Sequence, residues 1–398
     1  MEQIPDNVAA INRRFKFLLI SRASRSASLI FVALSVPIYL LILHYSILAI
    51  GIIYLFVSIS TMLIVLSIGF LGDRIGYRKA MIVGEIPALF LTFTLTFTTN
   101  QYLVLAGIIV SGTAGSPGAM RGAFSPGIAA YLARNWPKES QRVSRMGMVT
   151  SVASIASVLG SIMLYSSGYI SRIYGEVESF RILYGISFIL IVISILSLIL
   201  LRERPLERKT VRIMKKESGV HVIKIALSNA VNGTGIGLAI VLLPAWFKLR
   251  FALAPSDVGL VFLWSYVGSA AGAYLATKVF STRMNGTLAY ASVTRILQGA
   301  LMIVVALSPF LLVSEIVYAV RSVIAGFGVP NRTAINVGGI SEGDFGAATS
   351  IQGISGRISQ GSSGLSGYLM DLYIPFPLIL GGAVQSLSGF LYYKLLKK

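Results

Sequence analysis

Twelve apolar segments follow one another along this chain of 398 residues. They fall near residues 15–43, 47–71, 78–98, 102–133, 141–169 and 179–201, then 219–248, 256–279, 287–308, 312–338, 345–370 and 374–394. Each is near or above the roughly 20 residues that a tilted helix needs to cross a bilayer. The short alternating runs of barrel strands do not occur. The pattern predicts an all-α integral membrane protein with about twelve transmembrane helices, numbered here as spans 1 to 12. Charged residues are 12% of the chain, half of the roughly 25% usual in a soluble domain, which fits the same class.

The formal charge of +19 invites a nucleic-acid reading, and the distribution of the bases rejects it. They cluster in alternate loops, at Arg13, Arg14 and Lys16, at Arg74, Arg78 and Lys79, through 202–216, and at Lys394, Lys397 and Lys398. The opposite loops hold only Arg172, Arg181, Lys248 and Arg250. By the positive-inside rule this predicts a multi-pass protein of the cell membrane with both termini cytoplasmic. Anionic lipid headgroups are then the surface partner. The first apolar run, which reaches residue 43, reads as a retained span and not as a cleaved signal.

Residues 202–216 form the most charged stretch, Arg-Glu-Arg-Pro-Leu-Glu-Arg-Lys-Thr-Val-Arg-Ile-Met-Lys-Lys. They divide the chain into an expected six-helix bundle at 1–201, a cytoplasmic linker at 202–217 and a second six-helix bundle at 218–398. The halves read as copies. Leu71-Gly72-Asp73-Arg74 is echoed by Leu275-Ala276-Thr277-Lys278, Gly168-Tyr169 by Gly367-Tyr368, and Val36-Pro37 by Leu243-Pro244. The nearly constant offset is that of a duplicated bundle. Thr277 stands where Asp73 does, so only the first half keeps an acid in this turn.

That turn is Gly69-Phe70-Leu71-Gly72-Asp73-Arg74-Ile75-Gly76-Tyr77-Arg78-Lys79. It is a charged knot between two spans, with glycines for a tight turn and charges suited to helix ends. It resembles the loop between helices 2 and 3 of the major facilitator superfamily, G-x-L-A-D-R-x-G-R-K, with Gly69, Asp73, Arg74, Gly76, Arg78 and Lys79 in register. The resemblance implies two pseudo-symmetric six-helix bundles, transport by alternating access, and a central cavity lined by spans 1, 4, 7 and 10. It further implies that the knot latches the cytoplasmic side, with Asp73 pairing with bases such as Arg78 and with the start of span 11.

An arginine at the bilayer centre costs roughly 2.5–3.5 kcal/mol on insertion scales, so each one within a span needs a reason. Arg22 and Arg25 share a face of span 1, and the repeat places Asn229 and Asn232 at the matching positions of span 7. Arg121 lies in span 4, Arg321 and Arg332 in span 10, and Arg357 in span 11. Arg22, Arg25, Arg121, Asn229, Asn232, Arg321 and Arg357 are the candidate cavity residues. Snorkelling to the headgroups is the competing reading for Arg22 and the preferred one for Arg332. Glu85 is the one acid more than a turn inside any span, and it reads either as a proton carrier or as an ion-pair partner for an arginine.

With two histidines, no cysteine and no carboxylate cluster, neither a metal site nor a nucleophile–base triad assembles. The expectation is a non-enzymatic transporter without cofactors, acting as a monomer on a small molecule. Guanidinium forks suit carboxylate and phosphate, so an organic or phosphorylated anion is the first substrate class. The alternative is proton-coupled efflux of lipophilic compounds, for which Tyr39, Trp246, Phe247 and Trp264 speak. A transporter-like sensor or a lipid scramblase ranks last, because no soluble domain for signalling is apparent.

Overall fold

The computed structural model describes residues 6–98, 100–113, 125–136, 139–204, 216–280, 287–337 and 345–397, and every regular element among them is a helix. The first half of the chain forms α1 (Asp6–Ile42), α2 (Ile47–Ile75), α3 (Tyr77–Phe97), α4 (Gln101–Ser111), α5 (Ser125–Asn135), α6 (Glu139–Tyr174) and α7 (Glu176–Leu200). The second half forms α8 (Lys216–Ala239), α9 (Leu243–Phe251), α10 (Pro255–Phe280), α11 (Thr287–Leu307), α12 (Leu311–Val337), α13 (Phe345–Ser359), α14 (Ser363–Leu372) and α15 (Phe376–Leu396). Among the described residues, nine helical stretches are long and apolar enough to cross a membrane. The segments predicted near 102–133 and 345–370 are each divided. α4 and α5 flank residues 114–124, which lie outside the described residues, and a 3-10 turn at Gln360–Ser362 joins α13 to α14.

Two elements occupy the centre. The most apolar window of Ile11–Ile42 is 83% buried and that of Gly219–Phe251 is 78% buried, against 33–50% for the other candidate spans. A membrane helix enclosed on most sides is packed by protein and not by lipid. Spans 1 and 7 are therefore the axial pair. Around them α1 packs on α6 and α7, and α3 on α7; in the other half α8 packs on α13 and α15, and α12 on α10 and α11.

Contacts between the halves gather at the end away from the termini. There α2 meets α14, α6 meets α10 and α1 meets α9. Small residues bring the backbones together, as they do where lipid offers no hydrophobic drive for association. A Cβ placed on Gly51 would lie 2.9 Å from the Gly364 carbonyl oxygen. One turn or two deeper, Ser58 and Ser363 bring their hydroxyls within 3.4 Å. A continuous apolar core at this end includes Tyr54, Phe180, Leu242, Trp246, Phe262 and Met370, drawn from both halves. At the termini end a separate core holds Phe15, Leu18, Met81, Tyr131 and Trp136 from the first half, with Ile354 of α13 packed against it. Along span 7, residues 235–247 are all buried, whereas 229–232 are half-exposed. Toward the termini the halves meet more sparsely, through α13 against α2 and α5.

Two local features differ from the sequence expectation. The turn in the charged knot is tighter than the apolar runs at 47–71 and 78–98 imply. α2 continues through Ile75 and α3 begins at Tyr77, so Gly76 alone makes the turn. Gly76 sits at φ +96°, a region that costs a β-carbon strain, and its N–H still closes the helix on the Gly72 carbonyl at 3.1 Å. Span 7 also breaks where its counterpart does not. Pro37 lies inside the unbroken α1, whereas Pro244 falls in the first turn of α9, where its missing N–H costs nothing.

Candidate functional site

The polar centre of the first half is built on Ser21-Arg22-Ala23-Ser24-Arg25-Ser26-Ala27-Ser28 of α1. Alanine and serine let neighbouring helices close in, while the arginines carry charge into the packed interior. Ser28 Oγ donates to the Ser187 carbonyl of α7 at 3.1 Å. One heptad away, Ser21 and Ser194 hydroxyls meet at 2.8 Å. Arg25 forms an ion pair with Glu85 of α3, whose side chain is fully buried. Ser194 donates to the other oxygen of Glu85 at 2.6 Å, so Ser21 is the donor in the serine pair. Glu85 is thus engaged through both oxygens, a well-satisfied buried carboxylate. Arg22, 3% exposed, lies one turn from Arg25, and its Nε has no hydrogen-bond partner among the described residues.

In the second half the charges occupy different helices. Arg295 of α11, near the counterpart position of Glu85, donates to Ser228 Oγ at 3.0 Å and to Asn229 Oδ1 at 2.8 Å. Its guanidinium lies 4.3 Å from the centre of the Tyr392 ring, a favourable cation–π distance. Arg321 donates to the Gln298 carbonyl at 3.1 Å and to Gln385 Oε1 at 3.0 Å. Gln385 in turn donates through Nε2 to Asn232 Oδ1 at 3.5 Å, and Ser388 donates to the Gln385 carbonyl at 2.7 Å. Arg332 folds toward Thr294 and the Ala325 carbonyl. Among the candidate residues, the structure brings Arg25 to Glu85, and places Asn229 and Asn232 on polar side chains of α11 and α15. Arg357 is half-buried on α13, which packs against α8 and α2. Arg121 lies outside the described residues.

At the termini end, the expected latch has a partner that was not anticipated. Glu203, just beyond α7, accepts from the backbone N–H groups of Tyr77 and Arg78 at 3.0 and 2.9 Å. It also pairs with Arg134 of α5 at 3.2 Å. A carboxylate on the first N–H groups of a helix is favourably placed for the helix dipole. The Tyr131 hydroxyl donates to the Arg202 carbonyl, and Arg204 N–H donates to Asn135 Oδ1 at 3.0 Å. Residues 201–204 therefore strap α3 to α5. Of the knot itself, Gly69 is half-buried, Arg74 lies over the Phe70 ring at 4.1 Å, and Lys79 is exposed. The Asp73 side chain lies outside the described residues. Replacing Glu203 with Ala removes the carboxylate that two helix N–H groups and Arg134 share. We expect a loss of about 1–3 kcal/mol, read as a lower melting temperature of the purified protein, with Glu203→Gln retaining part of it.

Sequence reasoning missed Arg295 and Glu203. Arg295 was detectable by the insertion-cost argument already applied to Arg321, since it stands eight residues inside α11. Glu203 carried no such signal, because it sits in a charged stretch that reads as linker.

The geometry can be set beside known proteins. No curated protein sequence matches the chain. Solved structures match it over nearly its whole length. The human organic anion transporter MFSD10 (TETRAN) is 13% identical with a TM-score of 0.67, covering 96% of this chain and 99% of that one. A point mutant of the nucleoside transporter NupG is 12% identical with a TM-score of 0.70, covering 96% and 100%. A POT family transporter in complex with 5-aminolevulinic acid is 10% identical with a TM-score of 0.78, covering 98% and 100%. At these identities the likeness is one of fold. The sequence profile of the Major Facilitator Superfamily matches residues 18–227, more than half of the chain and across the glycine turn at Gly76. The chain belongs to the major facilitator superfamily, a family of multi-pass membrane transporters.

Proposed function

We propose that the protein is a secondary transporter of a small organic or phosphorylated anion, working by alternating access in the cell membrane as a monomer. Its moving parts are the halves at 1–201 and 218–398 joined by 202–217, with both termini cytoplasmic. One observation carries the substrate class: the buried charged residues among those described are Arg22, Arg25, Arg295, Arg321 and Arg332 against Glu85 alone. A membrane interior with such an excess of guanidinium groups favours an anion over a cation or a neutral lipophile. The likeness in fold to an organic anion transporter supports the same class. The aromatic residues that spoke for lipophilic efflux lend it little. Tyr39, Trp246 and Phe247 are buried in the core at the closed end, Trp246 donating to the Ile374 carbonyl at 2.8 Å, and Trp264 is exposed on the outside of the bundle. Glu85, held by Arg25 and Ser194, serves as an ion-pair partner in this state.

The test is uptake by proteoliposomes of labelled organic anions and of cationic dyes, with and without a pH gradient. Saturable anion uptake that unlabelled anions compete away is expected. Dye movement without anion movement removes the anion reading and restores efflux.

A further inference from the structure

Arg22 and Ser26 stand one helical turn apart on the same face of α1, and this spacing makes their side chains neighbours. Both are enclosed, at 3% and 4% exposure. Arg22 Nε and Ser26 Oγ both lack a hydrogen-bond partner among the described residues. A buried serine in a helix can satisfy itself by donating to the carbonyl one turn back, as Ser58 and Ser157 do here. Ser26 does not. Two adjacent buried donors left unmet in one interior are costly unless something else fills the place.

The protein's own carboxylate cannot fill it. Glu85 gives one oxygen to Arg25 and the other to Ser194. The charges that Arg22 feels among the described residues are those of Arg25 and Glu85. These three groups sum to a single positive charge. One negative charge neutralises the cluster, whereas a dianion leaves it negative in surroundings that punish net charge.

We propose that Arg22 and Ser26 form the docking point for one carboxylate group of the substrate, and that the neighbouring Arg25–Glu85 pair is a positioning pair that does not touch it. The guanidinium edge offers paired N–H donors to the carboxylate oxygens, and the Ser26 hydroxyl adds a third donor. A monocarboxylate is then preferred to a phosphate monoester. This rests on the anion-transporter reading above and narrows it.

Both consequences are measurable on the full-length protein in detergent, with chloride as the only anion and then with acetate, benzoate or phenyl phosphate added at matched ionic strength. Without carboxylate, Arg22→Met should melt at or above the wild-type temperature, because it removes a buried charge whose Nε has no partner among the described residues. Arg25→Met should melt well below it, because it strands Glu85. Acetate or benzoate should raise the wild-type melting temperature by about 2 °C or more by binding only the folded state. Phenyl phosphate should raise it less. Arg22→Met should abolish the rise and Ser26→Ala should reduce it. An Arg22→Met protein that melts as low as Arg25→Met overturns the proposal, since Arg22 then has a structural partner. A carboxylate shift that survives in Arg22→Met, a larger shift with phenyl phosphate, or no wild-type shift with either carboxylate overturns it as well. Saturable anion uptake in proteoliposomes alongside any of these results leaves the transporter reading standing and the docking point refuted.

Discussion

Replacing Glu85 with Ala is expected to be the most damaging single change in this chain. Glu85 is fully buried, pairs with Arg25 and accepts from Ser194, which in turn accepts from Ser21. Removing the acid takes the Glu85 charge away from the buried Arg25 guanidinium and unseats the serine contact between α1 and α7. Breaking a buried pair from one side costs about 3–5 kcal/mol, a large fraction of a typical folding free energy of about 5–15 kcal/mol. Little monodisperse protein should survive size-exclusion chromatography, and what survives should melt early. Replacing both Arg25 and Glu85 with Met removes both charges together and should recover most of the loss. A Glu85→Ala protein with wild-type yield and melting temperature would show that the pair contributes nothing to the fold.

The second large effect is expected at Gly51. Its position 2.9 Å from the Gly364 carbonyl, measured from where a Cβ would stand, leaves no room for a larger side chain. Gly51→Leu would wedge α2 away from α14 at the closed end while leaving each half's own packing intact. Overpacking of this kind costs about 1–3 kcal/mol. Because it acts only on the state in which these helices touch, it shifts the balance between states by roughly 5–150-fold. The natural chain has no cysteine, so a single Ala230→Cys on the half-exposed face of α8 reports access without background. Gly51→Leu should slow labelling of that cysteine from the termini side and depress transport together. Unchanged labelling would mean that the α2–α14 contact does not set the balance.

Much of the fold was legible because membrane spans are written in composition. The span boundaries follow apolar runs that nothing but a bilayer rewards, and the near-constant offset between weak echoes is what reads as two halves. Fine geometry was not written that way. The knot was read as a tight turn with its charges at the helix ends, and the apolar runs at 47–71 and 78–98 left residues 72–77 outside the spans. In fact a single glycine reverses the chain there, and the charged residues complete the ends of α2 and α3. The intramembrane arginines could be seen in the sequence, and Glu85 read as an ion-pair partner for one of them, but which arginine it takes could not be read. Whether Arg25 turns to Glu85 or into the cavity depends on helix rotation, which hydropathy does not encode. Arg295 shows the converse case, since its depth was plain and the rule that flagged Arg321 applied equally to it. Glu203 was beyond reach, because its meaning comes from the N–H groups of Tyr77 and Arg78, more than a hundred residues away.

The break between α8 and α9 gives the two halves different mechanics despite their shared pattern. α1 is an unbroken rod of 37 residues, so any tilt imposed at one end is delivered whole to the other. Its counterpart is jointed at Ile240–Leu242, and beyond the joint α9 is moored by Trp246 to the Ile374 carbonyl. The lower limb, Lys216–Ala239, meets the moored limb at this elbow, and a hinge there is the expected place for the second half to bend. Under the proposed alternating access, rocking is expected to be lopsided, with the first half turning as a rigid piece and the second flexing about its own axis beside the seal it helps to hold.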